Sequence, residues 1–205
     1  MIRTMMVVVA FGLLIAMPPG APANDEPDSL VGCRFITIRP GKANGVGGRL
    51  RFKCQGTPDL PDEPGNDPQL EGGKLRVFDL GGNGGDDTYD LPAGNWTRIP
   101  QNTMSPLRGF RYRADVTPTL PCKSVIVRDN VVRATCKDQA MTLTPPFSGD
   151  AAIVLTVGTD SKRYCAQLGG ANPFNRRVFW ARNSPPPTQC SSPSGAFLES
   201  NPALF

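Results

Sequence analysis

The sequence predicts an all-β protein, an antiparallel β-sandwich of about ten short strands stapled by three local disulfides. Glycine and proline are abundant, with 22 of each among 205 residues, which suits many tight turns and opposes long helices. Short runs of β-branched and alternating residues recur along the chain, and the cysteines flank these runs. Two packed sheets around one core are the economical architecture for such a pattern.

The clearest strand signal is residues 121–137, which read P-C-K-S-V-I-V-R-D-N-V-V-R-A-T-C-K. A hairpin with a three-residue loop at 128–130 brings Cys122 directly opposite Cys136. A two-residue loop would instead set Cys122 opposite Lys137, so the cysteines favour the longer loop. The predicted core face then consists of Cys122, Ser124, Ile126, Val132, Ala134 and Cys136.

Residues 33–38 and 50–54 form a second predicted hairpin, closed by a disulfide between Cys33 and Cys54. This pairing sets Phe35 opposite Phe52 and Thr37 opposite Leu50 on the core face. The reverse face is a mixed surface and would carry Arg34, Ile36, Ile38, Arg49, Arg51 and Lys53.

A third disulfide, Cys165 to Cys190, follows by elimination, although six cysteines allow fifteen connectivities and no hairpin register decides this pair. Metal binding by the cysteines is disfavoured because their spacings lack the close pairs typical of zinc sites. Disulfides in turn indicate an oxidising compartment.

The remaining chain alternates between predicted loops and strands. Residues 55–73 and 81–90 read as surface loops because glycine, proline and aspartate dominate them. The segment 109–113 is a predicted strand with Phe110 and Tyr112 pointing inward. Further predicted strands cover residues 74–80, 140–144, 151–157, 163–166 and 177–182.

The first 23 residues are predicted to be a signal peptide, with a positive start, an apolar run too short to span a bilayer and a small-residue cleavage site. Residues 24–30 are predicted to be a disordered leader, 31–190 the β-sandwich domain and 191–205 a flexible tail. The protein is therefore expected to be secreted or periplasmic, with no transmembrane segment in the mature chain. Residues 30–33 also look like a lipoprotein box, but they lie too far from the apolar run.

Several short motifs occur in a distinctive order. They are L-P-A-G-N-W at 91–96, F-R-Y-R-A-D at 110–115, P-C-K-S-V-I-V at 121–127, R-Y-C-A-Q-L-G-G at 163–170 and F-W-A-R at 179–182. In these motifs the chain resembles a recurring β-rich module of secreted proteins from environmental bacteria. The resemblance implies export and a β-rich fold, and it implies no activity.

The chain contains no histidine, which excludes Ser-His-Asp and Cys-His catalysis and histidine-liganded zinc. Its net charge is +4, or about +3 once Arg3 is removed with the signal peptide. Because this charge is mild, no nucleic-acid partner is predicted.

Asp86, Asp87 and Asp90 are candidate calcium ligands, because residues 81–89 resemble one copy of the Gly- and Asp-rich nonapeptide that binds calcium in stacked β-rolls. In such rolls the ion lies between successive turns, so a single copy lacks half the ligands. The competing interpretation is a flexible hairpin loop with solvated acids, and the sequence predicts no other cofactor.

Trp96, Tyr112 and Trp180 are candidates for stacking on sugar rings, since each has arginines nearby; the competing interpretation is core packing. We therefore predict a noncatalytic binding or surface-structural module whose partner is a glycan or another surface protein. The alternative is a carboxylate-based extracellular hydrolase acting on glycans, which needs only two suitably spaced acids.

Overall fold

A computed structural model describes residues 28–41, 47–61, 66–102, 104–117, 119–138, 140–147, 149–158, 162–169 and 178–191. It confirms the predicted all-β class, with two mostly antiparallel sheets and, among the described residues, 54% strand against 5% helix. The predicted signal peptide and residues 192–205 of the predicted tail lie outside the described residues. Within the described residues, none of the helices has the length and apolar character needed to cross a membrane.

Twelve strands are described, against about ten predicted. They are β1 (Ser29–Leu30), β2 (Gly32–Arg39), β3 (Gly48–Gln55), β4 (Gly73–Asp79), β5 (Asp86–Leu91), β6 (Trp96–Ile99), β7 (Gly109–Arg113), β8 (Cys122–Arg128), β9 (Val131–Asp138), β10 (Ala151–Val157), β11 (Lys162–Leu168) and β12 (Phe179–Ser184). A single turn of α-helix, α1 (Pro68–Glu71), and a 3₁₀ turn (Ala93–Asn95) complete the elements.

The strands form a five-stranded sheet in the order β1-β11-β10-β4-β5 and a seven-stranded sheet in the order β12-β2-β3-β9-β8-β7-β6. All neighbours are antiparallel except β1 and β11, which run parallel. The two predicted disulfide hairpins lie side by side in the seven-stranded sheet, because β3 pairs with β9.

The core consists of the alternate residues that each sheet turns toward the other. Members from the five-stranded sheet include Leu75, Val77, Tyr89, Leu91, Ile153, Leu155 and Tyr164. Members from the seven-stranded sheet include Ile36, Ile38, Leu50, Phe52, Phe110, Tyr112, Val125, Val127 and Phe179. The inward direction predicted for Phe110 and Tyr112 is thus confirmed.

All three predicted disulfides are present, including the one that the sequence could assign only by elimination. They are Cys33–Cys54, Cys122–Cys136 and Cys165–Cys190, and no cysteine of the chain is free.

The predicted register of the central hairpin was wrong beyond the disulfide. Arg128 pairs with Val131, so the loop has two residues, and β8 carries one extra residue at Lys123 that brings Cys122 back opposite Cys136. A β-bulge of this kind shifts the pairing by one and exchanges the faces of the strand. Val125 and Val127 therefore face the core, and the predicted core residues Ser124 and Ile126 lie on the opposite face.

The second hairpin contains a β-bulge at the equivalent position. Cys33 pairs with Cys54 as predicted, but an extra residue at Arg34 then sets Phe35 opposite Lys53. The predicted pairs Phe35 with Phe52 and Thr37 with Leu50 are therefore wrong. Ile36 and Ile38 take the core positions instead, and Phe35 and Thr37 turn outward.

Three predicted loop or leader segments contain ordered structure. β5 begins inside the predicted loop 81–90 and covers its second half. α1 lies within the predicted loop 55–73, where the Asp67 carboxylate caps its first turn by accepting from the Gln69 amide. The predicted disordered leader is also too long, because Asp28 accepts hydrogen bonds from the Arg163 guanidinium and β1 pairs with β11.

The strand predicted at 140–144 is absent. This segment is held instead by side-chain contacts, because the Asp87 carboxylate accepts hydrogen bonds from the backbone amides of Thr142 and Leu143. The alternating apolar pattern there reflects contact with the core through Leu143, which is buried, rather than strand pairing.

Candidate functional site

The outer face of the seven-stranded sheet, which points away from the five-stranded sheet, carries rows of aromatic, hydroxyl and cationic side chains, with the buried Ile126 among them. Residues opposite one another on neighbouring strands lie side by side, so the strand registers define these rows. One row is Trp180, Thr37, Arg51, Thr135, Ser124 and Arg113. The next is Arg182, Phe35, Lys53, Arg133, Ile126 and Arg111. We call this surface the cationic face.

Cations oppose cations on this face. Lys53 pairs with Arg133, and Arg49 pairs with Arg39 on one side and Lys137 on the other. Directly opposed like charges destabilise a sheet. In the described part of the chain these side chains form no ion pair, since the four ion pairs found there involve other residues. The strands of the cationic face contribute one acid, Asp138, which caps the Ala140 amide at the end of β9.

A groove of about 550 Å³ opens at the β12 end of the cationic face. Its lining is Arg34, Phe35, Thr37, Lys53, Trp180, Arg182 and Asn183. Trp180 is 41% exposed, and the Arg182 guanidinium carbon lies 4.2 Å from the centre of its ring. The groove therefore offers an accessible indole ring surrounded by hydrogen-bond donors, which we call the Trp180 groove.

Irregular backbone shapes the Trp180 groove on both of its strands. On β2, Arg34 is the extra residue of the bulge, and on β12, Asn183 has a φ of 53°, in the left-handed region that few non-glycine residues adopt. Asn183 lies between the Arg182 and Ser184 pairings, beside that bulge. Bulges often redirect side chains next to functional sites, and here the redirected chain is the cation Arg34.

A second groove, of about 640 Å³, lies farther along the same face. Its lining is Asn95, Arg113, Ala114, Asp115, Lys123, Ser124 and Thr135. Three of these residues belong to the row that begins at Trp180, so the two grooves are connected by one line of side chains across the sheet.

The three aromatic candidates differ in how far their side chains are exposed. Trp180 is exposed, whereas Trp96 is 3% exposed and Tyr112 is fully buried. Trp96 and Tyr112 pack edge to face with ring centres 5.5 Å apart, and the Trp96 Nε1 donates to the Leu91 carbonyl at 3.1 Å. Burial raises the pKa of the Tyr112 phenol. The prediction that Trp96 and Tyr112 offer stacking surfaces is therefore corrected, since both side chains belong to the core.

The candidate calcium ligands do not converge, because successive residues of β5 point to opposite sides of the sheet. Asp87 is buried, and its carboxylate accepts from the Thr142 amide and hydroxyl at 2.9 and 2.8 Å. Asp86 binds the Arg76 guanidinium on the outer side, and Asp90 is exposed there, opposite Lys74. A calcium site built from all three acids would require β5 to rearrange.

One further acid, Asp79, organises the glycine-rich loop and was not singled out from the sequence. Its carboxylate accepts hydrogen bonds from the backbone amides of Gly81, Gly84 and Gly149 at about 3 Å. An aspartate followed two residues later by glycine is a typical signal for such a side-chain-closed turn. Among the described residues, the one cluster of three acid or thiol groups close enough to share an ion is Asp28, Cys165 and Cys190, whose two cysteines are joined in a disulfide.

The hydrolase alternative requires two carboxylates in one concave site. The Trp180 groove is lined by none, and the second groove is lined by one, Asp115. The donors available in both grooves are cations, hydroxyls and amides, which bind a ligand without supplying an acid and base pair.

Comparisons with protein-family models, with curated proteins and with solved structures find no match for this chain. The resemblance to a module of secreted bacterial proteins stays a prediction. Function has therefore to be inferred from the geometry of the site.

Proposed function

We propose that this protein is a noncatalytic glycan-binding module that works outside the cytosol, and that the Trp180 groove holds a sugar ring. The observation that supports this most directly is the exposed Trp180 indole, set among polar donors in a concave site. Apolar ring surface beside hydrogen-bond donors is what a pyranose requires, because its ring faces are C–H surfaces and its edge carries hydroxyls.

Each part of the groove has a role in this proposal. Trp180 stacks on the ring, and Phe35 extends the apolar floor from the neighbouring strand. Thr37 and Asn183 hydrogen-bond to hydroxyls. The groove volume of about 550 Å³ lies in the range typical of small-ligand sites, roughly 300–1,000 Å³.

The disulfides support a location outside the reducing cytosol. Three of them close a chain without free thiols, and such disulfides persist in secreted or periplasmic proteins and are rare in a reducing cytosol. Glycans of cell surfaces and extracellular matrices are accessible in that setting. A rigid sheet surface with a preformed groove also suits binding without turnover.

A glycan array probed with the mature chain and with Trp180→Ala tests the proposal. We expect the wild type to bind a subset of glycans and Trp180→Ala to bind them roughly tenfold more weakly, corresponding to about 1.4 kcal/mol. Leu70→Ala, which truncates an exposed apolar side chain on α1, is the matched control and should bind like the wild type.

Absence of any glycan binding by the wild type, or equal binding by Trp180→Ala, would contradict the proposal. The same glycans should be assayed for release of reducing ends. Release that disappears in Asp115→Asn would favour the hydrolase alternative instead.

A further inference from the structure

The net charge of the whole chain is small, but the basic residues are concentrated on one of its two outer surfaces. The sequence has 22 basic and 18 acidic residues. Yet the cationic face and its margins present Arg34, Arg39, Arg49, Arg51, Lys53, Arg111, Arg113, Lys123, Arg128, Arg133, Lys137 and Arg182. Each β-strand residue contributes to one side only, so alternation within strands and pairing between them gather these cations onto one surface.

The arrangement of these cations is unfavourable for the isolated protein. Lys53 faces Arg133, and Arg49 faces both Arg39 and Lys137, without intervening acids from the described residues. Like-charged cross-strand pairs raise the free energy of the folded sheet. An anion with regularly spaced charges would remove this repulsion, so the pattern is complementary to a polyanion.

The chemistry between the cations indicates which polyanion fits. The row from Trp180 alternates an aromatic ring, the hydroxyls of Thr37, Thr135 and Ser124, and the arginines Arg51 and Arg113. Arginine predominates over lysine on this face, and its planar fork matches a carboxylate through two parallel hydrogen bonds. Ring stacking, hydroxyl contacts and carboxylate contacts together describe a uronic acid.

We propose that the cationic face binds an acidic polysaccharide of the polyuronate class, lying across the strands from the Trp180 groove toward the second groove. This inference rests on the proposed glycan-binding function and specifies its substrate class. Adjacent strands are about 4.8 Å apart, so the rows present a donor group at each strand along the path of the chain. The ring at the Trp180 groove fixes the register, and the cations beyond it bind successive carboxylates.

A nucleic acid fits this surface less well. Proteins that bind single strands stack successive bases on several aromatic side chains, whereas Trp180 is the one exposed aromatic residue among the described residues. The surface therefore favours an acidic polysaccharide over a single-stranded nucleic acid.

Isothermal titration of the mature chain with polygalacturonate tests this inference, with dextran and single-stranded DNA as comparison probes. We expect polygalacturonate to bind, with an affinity that falls at least tenfold between about 50 and 200 mM salt because bound cations are released from the polymer. Dextran should bind at least tenfold more weakly than polygalacturonate at the lower salt concentration.

Lys53→Glu and Lys74→Glu form a matched pair for the same titration. Both change the net charge equally, but Lys53 lies in the centre of the cationic face and Lys74 lies on the five-stranded sheet. We expect Lys53→Glu to weaken polygalacturonate binding at least tenfold and Lys74→Glu to change it less than twofold. A melting temperature for Lys53→Glu no lower than that of the wild type excludes unfolding as the cause, and Arg51→Glu provides a second variant of the same face.

These titrations distinguish a failure of the polyuronate inference from a failure of the proposed glycan-binding function. Equal weakening by Lys53→Glu and Lys74→Glu would overturn the inference, because the effect would then follow net charge alone. Neutral glycan binding that depends on Trp180, with no preference for polygalacturonate, would overturn the inference and leave the proposed function standing. Binding of DNA without binding of any glycan would overturn both.

Discussion

The outer faces of the two sheets differ in whether their cations are paired with acids. On the five-stranded sheet, Arg76 binds Asp86, Arg163 binds Asp28, and Lys74 lies opposite Asp90. The hydrogen bonds that the Arg76 guanidinium donates to the Asp86 carboxylate raise the pKa of Arg76. On the cationic face of the seven-stranded sheet, the described residues include no such partner for any cation in the rows.

The acids and the cations also differ in whether they make contacts that stabilise the fold. Acids of the five-stranded sheet act within the fold: Asp79 closes the glycine-rich loop, and Asp87 holds residues 142 and 143. Among the described residues, the cations in the two rows of the cationic face make no such hydrogen bonds, and their mutual repulsion opposes folding. In the function that we propose, these cations serve binding at a cost in stability.

The largest expected effect is on the acid side of this comparison. Asp87→Ala should lower the free energy of unfolding by about 3 kcal/mol, because the amides of Thr142 and Leu143 lose a charged acceptor in a buried position. Urea denaturation followed by fluorescence measures the change. Asp90→Ala is the control and should stay within about 0.5 kcal/mol of the wild type, since Asp90 is exposed. Similar losses in the two variants would show that the Asp87 contacts are not specific.

Tyr89 of the five-stranded sheet and Tyr112 of the seven-stranded sheet should contribute differently to the loss of stability at alkaline pH. Burial raises the pKa of the Tyr89 phenol well above its usual value, and the carboxylates of Asp87 and Asp138 raise it further. Because the folded pKa is the higher one, the stabilisation is complete below about pH 10 and is lost as the pH rises beyond that value. Stability should therefore fall by about 1.4 kcal/mol per pH unit above pH 10 through Tyr89 alone.

Urea midpoints measured from neutral to alkaline pH test this expectation. Tyr89→Phe should reduce the loss of stability at alkaline pH. Tyr112→Phe should reduce it less, because burial raises the pKa of Tyr112 without neighbouring carboxylates and the nearby Asn95 side chain opposes the shift. An unchanged alkaline slope in Tyr89→Phe would contradict the assignment.

The smallest effect is the most diagnostic for the cationic face. Lys53→Glu places an acid opposite Arg133 and should raise the free energy of unfolding by about 0.2–1 kcal/mol, because a like-charged pair becomes an opposite-charged pair. Thermal denaturation at low salt is the measurement. A loss of stability on this substitution would mean that Lys53 supports the fold, and the separation of roles between the two faces would then be wrong.

Much of the fold could be predicted from the sequence because two pairs of cysteines lie directly opposite each other on neighbouring strands of a hairpin. All three disulfides and the sandwich class were predicted, and the inward direction of Phe110 and Tyr112 followed from simple alternation. The registers were wrong because each hairpin has an extra residue directly after its first cysteine, Arg34 in one and Lys123 in the other. A bulge leaves the disulfide in place and reverses the faces beyond it, so the cysteines alone cannot reveal it.

The candidate site was only partly accessible to sequence reasoning. Trp180 could be proposed but not separated from Trp96, because burial depends on which residues cover a ring and not on its local sequence. The net charge hid the cationic face, since its residues come from strands that are distant in the chain. The alternation R-L-R-F-K at residues 49–53 was a local signal of one charged side, but the neighbouring strands that extend it are joined only in the folded protein.

Amide chemical-shift mapping of the mature chain, titrated with oligogalacturonate, locates the binding surface residue by residue. We expect saturable shifts concentrated on β12, β2, β3 and β9, with the largest around Trp180 and Lys53, and little change on β4, β5 and β10. Shifts centred on the five-stranded sheet, or no shifts at a ligand concentration that saturates binding, would contradict this expectation.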